Sequence, residues 1–111
     1  MSEHYIVTLD RDHLRIYAEH RDDGVSASRL EAVEAMDFPG TIRSYTLSGE
    51  IDTFLQNRPT ATWDFAAPAP ELQTVMGDLS PETIRRLQRS LSKDLVNQNA
   101  EEVRAQFAAV G

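Results

Sequence analysis

The sequence predicts a small α/β domain: a mixed sheet that opens with an antiparallel hairpin or meander and carries helices packed on it. Three observations predict this class. Tyr5–Leu9 and His13–Glu19 are strand-like runs separated by a short polar cluster. Ala61, Trp63 and Phe65 alternate with polar residues further on. From Pro70 onward the chain carries helix-start signals and amphipathic spacing. At 111 residues one domain, residues 1–111, accounts for the whole chain, and such a domain buries roughly two-thirds of its unfolded surface.

Tyr5-Ile6-Val7-Thr8-Leu9 is β-branched and aromatic on both faces, which suits a central strand, and Asp10-Arg11-Asp12 suits a turn. In His13–Glu19, Leu14, Ile16 and Ala18 fall on one side and Arg15, Tyr17 and Glu19 on the other, the pattern of a half-buried second strand. Asp22-Asp23-Gly24 is a further turn signal. In Ser28–Asp37, Leu30, Val33 and Met36 recur at helical spacing, so the local pattern favours helix, with a three-strand meander competing.

Pro39-Gly40 breaks the chain, and Ile42, Tyr45 and Leu47 are possible anchors beyond it. Ser48 is read as the cap of a helix starting near Gly49, with Glu50 and Asp52 in its first turn and Ile51, Phe54 and Leu55 facing inward. Asn57-Arg58-Pro59 ends it, and a strand over residues 60–67 runs into Pro68-Ala69-Pro70. Leu72, Val75 and Met76 predict a short helix closed by Gly77. Ser80-Pro81-Glu82 combines a capping hydroxyl, a proline at the first helical position and an acid. Behind it Ile84, Leu87 and Leu91 read as the buried stripe, with Arg85, Arg89 and Lys93 as a basic stripe if the helix runs on. Asn99 and Glu102 form a capping box for a last helix that buries Val103 and Phe107, and Val110 extends the stripe.

A net charge of -7 and the absence of cysteine narrow the function. Acidity disfavours a broad nucleic-acid interface, which needs a basic face. Disulfides, zinc–thiolate sites and thiol nucleophiles are excluded. The N-terminus lacks the basic and apolar regions of a secretory signal, and apolar runs fall far short of the roughly 20 residues that span a bilayer. The expected address is the cytoplasm, with no membrane partner.

The stretch AAPAPELQTVMGDLSPETIRRLQRSLSKDLVNQNAEEVRAQF (residues 66–107) resembles the C-terminal end of the bacterial host-attachment proteins. That family is related to the central domain of archaeal and eukaryotic peptide-chain release factors. Ala67-Pro68-Ala69-Pro70, Leu72, Leu79-Ser80-Pro81 and Lys93-Asp94-Leu95 match its motifs in order, and Ile6–Glu19 is similar to its opening hairpin. The likeness covers about three-quarters of the chain. The long charged helix of the family is trimmed here to residues 40–60, and Val96 stands where a threonine follows the Lys-Asp-Leu motif. The resemblance implies a ribonuclease-H-like, release-factor central-domain-like sheet. It implies that Arg29–Met36 is a third strand and that Leu91–Leu95 is an extended edge strand. No Gly-Gly-Gln triplet is present, so peptide-release activity does not carry over.

Two functions follow as expectations. The first is a non-enzymatic interaction module like the host-attachment proteins, acting through a protein or ribosomal partner without a cofactor. Its partner-binding candidates are Arg85, Arg86, Arg89, Lys93 and Asp94; the plainer reading of the basic residues is the wet face of a helix, paired with Glu82. The second is a metal-dependent nuclease or phosphohydrolase with Asp10 as first ligand and Asp12, Asp37 or Asp64 as partners. Its plainer reading is that Asp10 and Asp12 cap a tight turn. His4, His13 and His20 lack metal-ligand spacing and read as solvated, no Gly-x-Ser-x-Gly elbow is present, and Trp63 and Phe65 read as core.

Overall fold

The computed structural model describes residues 3–10, 13–21, 28–37 and 44–110. Among these the chain forms β1 (His4–Leu9), β2 (His13–Arg21), β3 (Ser28–Asp37), α1 (Ser44–Gln56), β4 (Thr62–Ala66), α2 (Ala69–Asp78), α3 (Pro81–Arg85), β5 (Leu87–Leu91) and α4 (Ala100–Val110). The strands make one sheet in the order β3-β2-β1-β4-β5. β2 runs antiparallel to β1 and β3, while β1–β4 and β4–β5 are parallel. That order and those directions are the ribonuclease-H-like pattern, as the expected fold class requires. The signals at Arg11-Asp12, Asp22–Gly24 and Pro39-Gly40, and the anchor Ile42, lie outside the described residues.

The strands alternate their side chains between two covered faces. On one, Tyr5, Val7, Leu9, Leu14, Ile16, Trp63 and Phe65 pack with Leu47, Ile51 and Leu55 of α1, Val75 of α2 and Leu79. On the other, Ile6, Tyr17 and Ala66 pack with Leu95 and with Val103 and Phe107 of α4. β1, buried from Tyr5 to Leu9, is the central strand the sequence predicts.

Both edge strands are bulged. Ile16 stands opposite Glu34 and Tyr17 opposite Ala32, so Val33 is an extra residue in β3. In a regular strand Leu30 and Met36 would share a face. Across the bulge Met36 packs on the α1–α2 side and Leu30 on the α4 side. This corrects the local helix reading of Ser28–Asp37: the strand implied by the resemblance is the observed one, and the bulge produces the helix-like spacing. In β5, Trp63 pairs with Leu87 and Asp64 with Arg89, leaving Gln88 as the extra residue.

β5 also corrects the reading of residues 84–95. Ser80 caps α3 by accepting from the Thr83 N–H at 3.3 Å, but the helix ends at Arg85. Pairing with β4 then pulls the chain straight, with the Trp63 N–H donating to the Arg86 carbonyl and Ala67 N–H to Leu91. Leu87 and Leu91 therefore lie on a strand facing opposite cores, Ile84 stays exposed, and no helical basic stripe forms. The edge strand begins four residues before Leu91 and ends there, earlier than the Leu91–Leu95 the resemblance implies.

α1 starts at Ser44, so Ser48 is no cap. It lies buried within the helix and donates to the Val75 carbonyl at 3.3 Å, tying α1 to α2. Glu50 and Asp52 are likewise past the first turn. Asp52 instead accepts from the Ser80 N–H at 3.2 Å and its hydroxyl at 3.2 Å, and so supports the start of α3 from a neighbouring helix. α2 continues through Gly77 to Asp78, and the Leu79 N–H closes it on Val75. The capping box of α4 forms as read: Glu102 N–H donates to Asn99 Oδ1 at 2.9 Å, and Asn99 N–H returns to Glu102 Oε1 at 3.4 Å.

Candidate functional site

The residue pattern Trp63-Asp64-Phe65 places an acid at the middle of an apolar strand. Because β4 lies between β1 and β5, Asp64 comes out fully buried on the α4 side of the sheet. A carboxylate there needs a cation and hydrogen bonds. His4 Nε2 supplies one contact to Asp64 Oδ2 at 2.9 Å. Arg89 supplies two, from Nη2 at 2.8 Å and Nε at 3.2 Å. The Gln88 bulge is what puts Arg89 opposite Asp64. Arg89 continues outward, donating Nη1 to the Phe107 carbonyl at 3.0 Å. His4 Nδ1 meets Thr62 Oγ1 at 2.8 Å. The network thus joins β1, β4, β5 and α4. Burial pushes the Asp64 carboxyl up, and the bonds from His4 and Arg89 outweigh it, holding the group below its ordinary value. The expectation of a solvated histidine is corrected at His4, whose side chain keeps 15% of its exposure.

The other sequence candidates separate. Asp10 Oδ1 accepts from the His13 N–H at 2.7 Å and lies 3.0 Å from His13 Nδ1, so the acid closes the β1–β2 turn. Asp64 pairs with Ile6 in register, well back along β1 from Asp10, so the two acids do not share a site. Asp12 lies outside the described residues, and so does the Asp37 side chain. Among the described residues no three His, Asp or Glu side chains gather as a metal site. His20 meets Glu31 at 3.3 Å on the surface.

Nor do the basic candidates make one patch. Arg86 turns inward and donates to the carbonyls of Leu55 at 3.0 Å, Arg58 at 2.9 Å and Ala61 at 3.2 Å, closing the end of α1. Arg89 serves Asp64. Arg85 is exposed and pairs with Glu82 at 2.6 Å; the same acid lies 3.8 Å from Arg86 Nε. Exposed Lys93 donates to Gln106 at 2.9 Å, and Asp94 accepts from the Val96 N–H at 3.2 Å.

A second polar cluster lies beside the first core. Tyr5 donates its hydroxyl to the Glu3 carboxylate and accepts from Arg58 Nε at 3.2 Å, while the Arg58 guanidinium stacks 3.8 Å over Phe54. Burial, followed by the Glu3 bond, raises the Tyr5 hydroxyl above its ordinary range. Sequence spacing does not reveal the His4–Asp64 and Tyr5–Arg58 pairs, whose members lie 60 and 53 positions apart. The legible signal is Asp64 itself, an acid between two core aromatics.

Thr62, His4 and Asp64 have the connectivity of a nucleophile, a base and its orienting acid. The surroundings do not fit acyl transfer. The N–H of Thr62 is spent on the Glu3 carbonyl at 2.9 Å and that of Trp63 on Arg86 at 3.3 Å, so neither can hold an oxyanion. Arg89 already occupies the carboxylate. The cluster ties β1, β4, β5 and α4 together.

The chain matches no known protein-family profile and no curated protein sequence. Among solved structures it is similar to RuvC of Thermus thermophilus, with a TM-score of 0.49 and 12% identity over 78% of this chain. The match covers 61% of that chain's length. No helix among the described residues is long and apolar enough to cross a membrane.

Proposed function

We propose that this domain is a non-enzymatic interaction module of the host-attachment kind, acting in the cytoplasm through a protein or ribosomal partner. The observation that supports this reading is the internal engagement of the groups that could do chemistry. Asp64, His4 and Arg89 hold the sheet to α4, Asp10 and His13 close a turn, and Arg86 closes α1. Contact through the surface is what these commitments leave. Among the described residues Val33 on β3 and Ile84 on α3, 38% and 37% exposed, are its large apolar points, and Arg85 stands beside the second. A pull-down from native lysate, with an Arg85→Glu, Ile84→Asp variant as control, tests the reading. A partner retained by the wild type and lost by the variant supports it, and identical profiles remove this surface. A ribosomal partner further requires co-sedimentation that weakens with salt.

The alternative, a metal-dependent nuclease or phosphohydrolase, retains one favourable feature: Asp10 follows the end of central β1 on a ribonuclease-H-like sheet. Magnesium or manganese titration followed by NMR discriminates. Saturable shifts at Asp10 and a second carboxylate at sub-millimolar metal favour the enzyme.

A further inference from the structure

We propose that Thr62 is a proton-state adapter for His4, keeping α4 fastened to the sheet whether or not the imidazole is charged. Asp64 is an ionised acceptor, so the His4 nitrogen that meets it, Nε2, must carry a hydrogen in either state. The state of the ring then shows only at Nδ1, a lone pair when neutral and an N–H when charged. The atom 2.8 Å away is a hydroxyl, a single atom that can donate to the first and accept from the second by rotating. Both forms of His4 therefore keep the bond to Asp64 Oδ2. Asp64 in turn holds Arg89, and Arg89 holds the Phe107 carbonyl of α4.

Among the described residues, the charged groups that bond to or stand opposite the His4–Asp64 pair are Arg89 on β5 and Glu19, which faces His4 on β2. α4 joins the cluster through a backbone carbonyl. An aliphatic residue at position 62 breaks the symmetry. It strands a lone pair when His4 is neutral, and it strands a charged N–H, the costlier loss, when His4 is protonated.

The test is amide hydrogen exchange across α4 for wild type, Thr62→Val and Thr62→Ser, at one pH where the ¹⁵N shifts of the His4 ring show it neutral and one where they show it charged. Relative to wild type, Thr62→Val opens α4 more at both values, and the excess grows by about tenfold on acidification, the difference between losing a neutral and a charge-assisted bond. Thr62→Ser follows the wild type. An excess that does not change with pH, or a serine variant that behaves like valine, overturns the proposal. The same ¹⁵N shifts in the wild type test it without any variant: wherever the ring is neutral its proton must sit on Nε2, and a proton on Nδ1 overturns the adapter role.

Discussion

The two faces of the sheet are closed by different physics. Under α1 and α2 the contact is apolar and broad: Leu9, Ile51, Leu55, Trp63, Phe65 and Val75 are all fully buried together. Under α4 the apolar set is smaller, and a polar cluster of His4, Asp64 and Arg89 lies within the layer. The first face draws on surface removed from water, a term indifferent to charge state. The second depends on the Asp64 and Arg89 charges being present and correctly paired. One sheet thus carries a robust side and a conditional side, and α4 sits on the conditional one.

The largest expected effect breaks the robust side. Phe65→Ala removes a fully buried ring that packs 5.4 Å from Trp63, and should cost about 3–5 kcal/mol. Urea unfolding followed by the fluorescence of Trp63, the one tryptophan, measures it. The loss should be equal at low and high salt. A salt-dependent loss would mean that the two faces are not energetically separate.

Arg89→Ala strikes the conditional side. It leaves the Asp64 carboxylate buried with His4 alone, at a cost of about 3 kcal/mol. Its signature is in the pH dependence. In the wild type Asp64 is held below the ordinary carboxylate value of 3.8, so its contribution is present above that value and is lost as pH falls through the lowered one. Without Arg89 the upward push of burial is less opposed, and acid unfolding begins at higher pH. Circular dichroism during acid titration reads this directly. An unmoved midpoint would show that His4 alone suffices.

The same division explains what the sequence disclosed. Period-two alternation in Ala61, Trp63 and Phe65, and the caps at Ser80 and Asn99, are local signals, and the elements they predict are present. Bulges are not local: Val33 and Gln88 become extra residues only through pairing with β2 and β4. Each bulge breaks the alternation that identifies a strand, which is why Leu30, Val33 and Met36, and again Leu87 and Leu91, imitate helical spacing. Ser48 misleads for a different reason. A hydroxyl near a helix start is usually a cap, and here the α1–α2 contact uses it from inside the helix. His4 and Asp64 are 60 positions apart, and only the parallel pairing of β1 with β4 brings them together.

Arg86 gives an intermediate test, because sequence spacing groups it with the surface while the structure places it inside. Arg86→Ala removes three bonds, to the Leu55 carbonyl at the end of α1 and to those of Arg58 and Ala61 in the link to β4. It should cost about 2 kcal/mol and raise exchange at the C-terminal end of α1 without loosening α4. Loosening of both helices would make the end of α1 part of the conditional side.

The smallest effect sharpens the contrast most, because Arg85 and Arg86 are chain neighbours of the same type. Arg85 is 73% exposed and its partner Glu82 is 55% exposed, so water already solvates both ions and the pair contributes little. Arg85→Ala should shift stability by less than about 0.5 kcal/mol, and that shift should shrink further with added salt. If Arg85→Ala proved as costly as Arg86→Ala, position in the fold would not be what separates them. If Arg85→Ala leaves stability intact yet loses a captured partner, the side chain belongs to the surface that the domain presents to others.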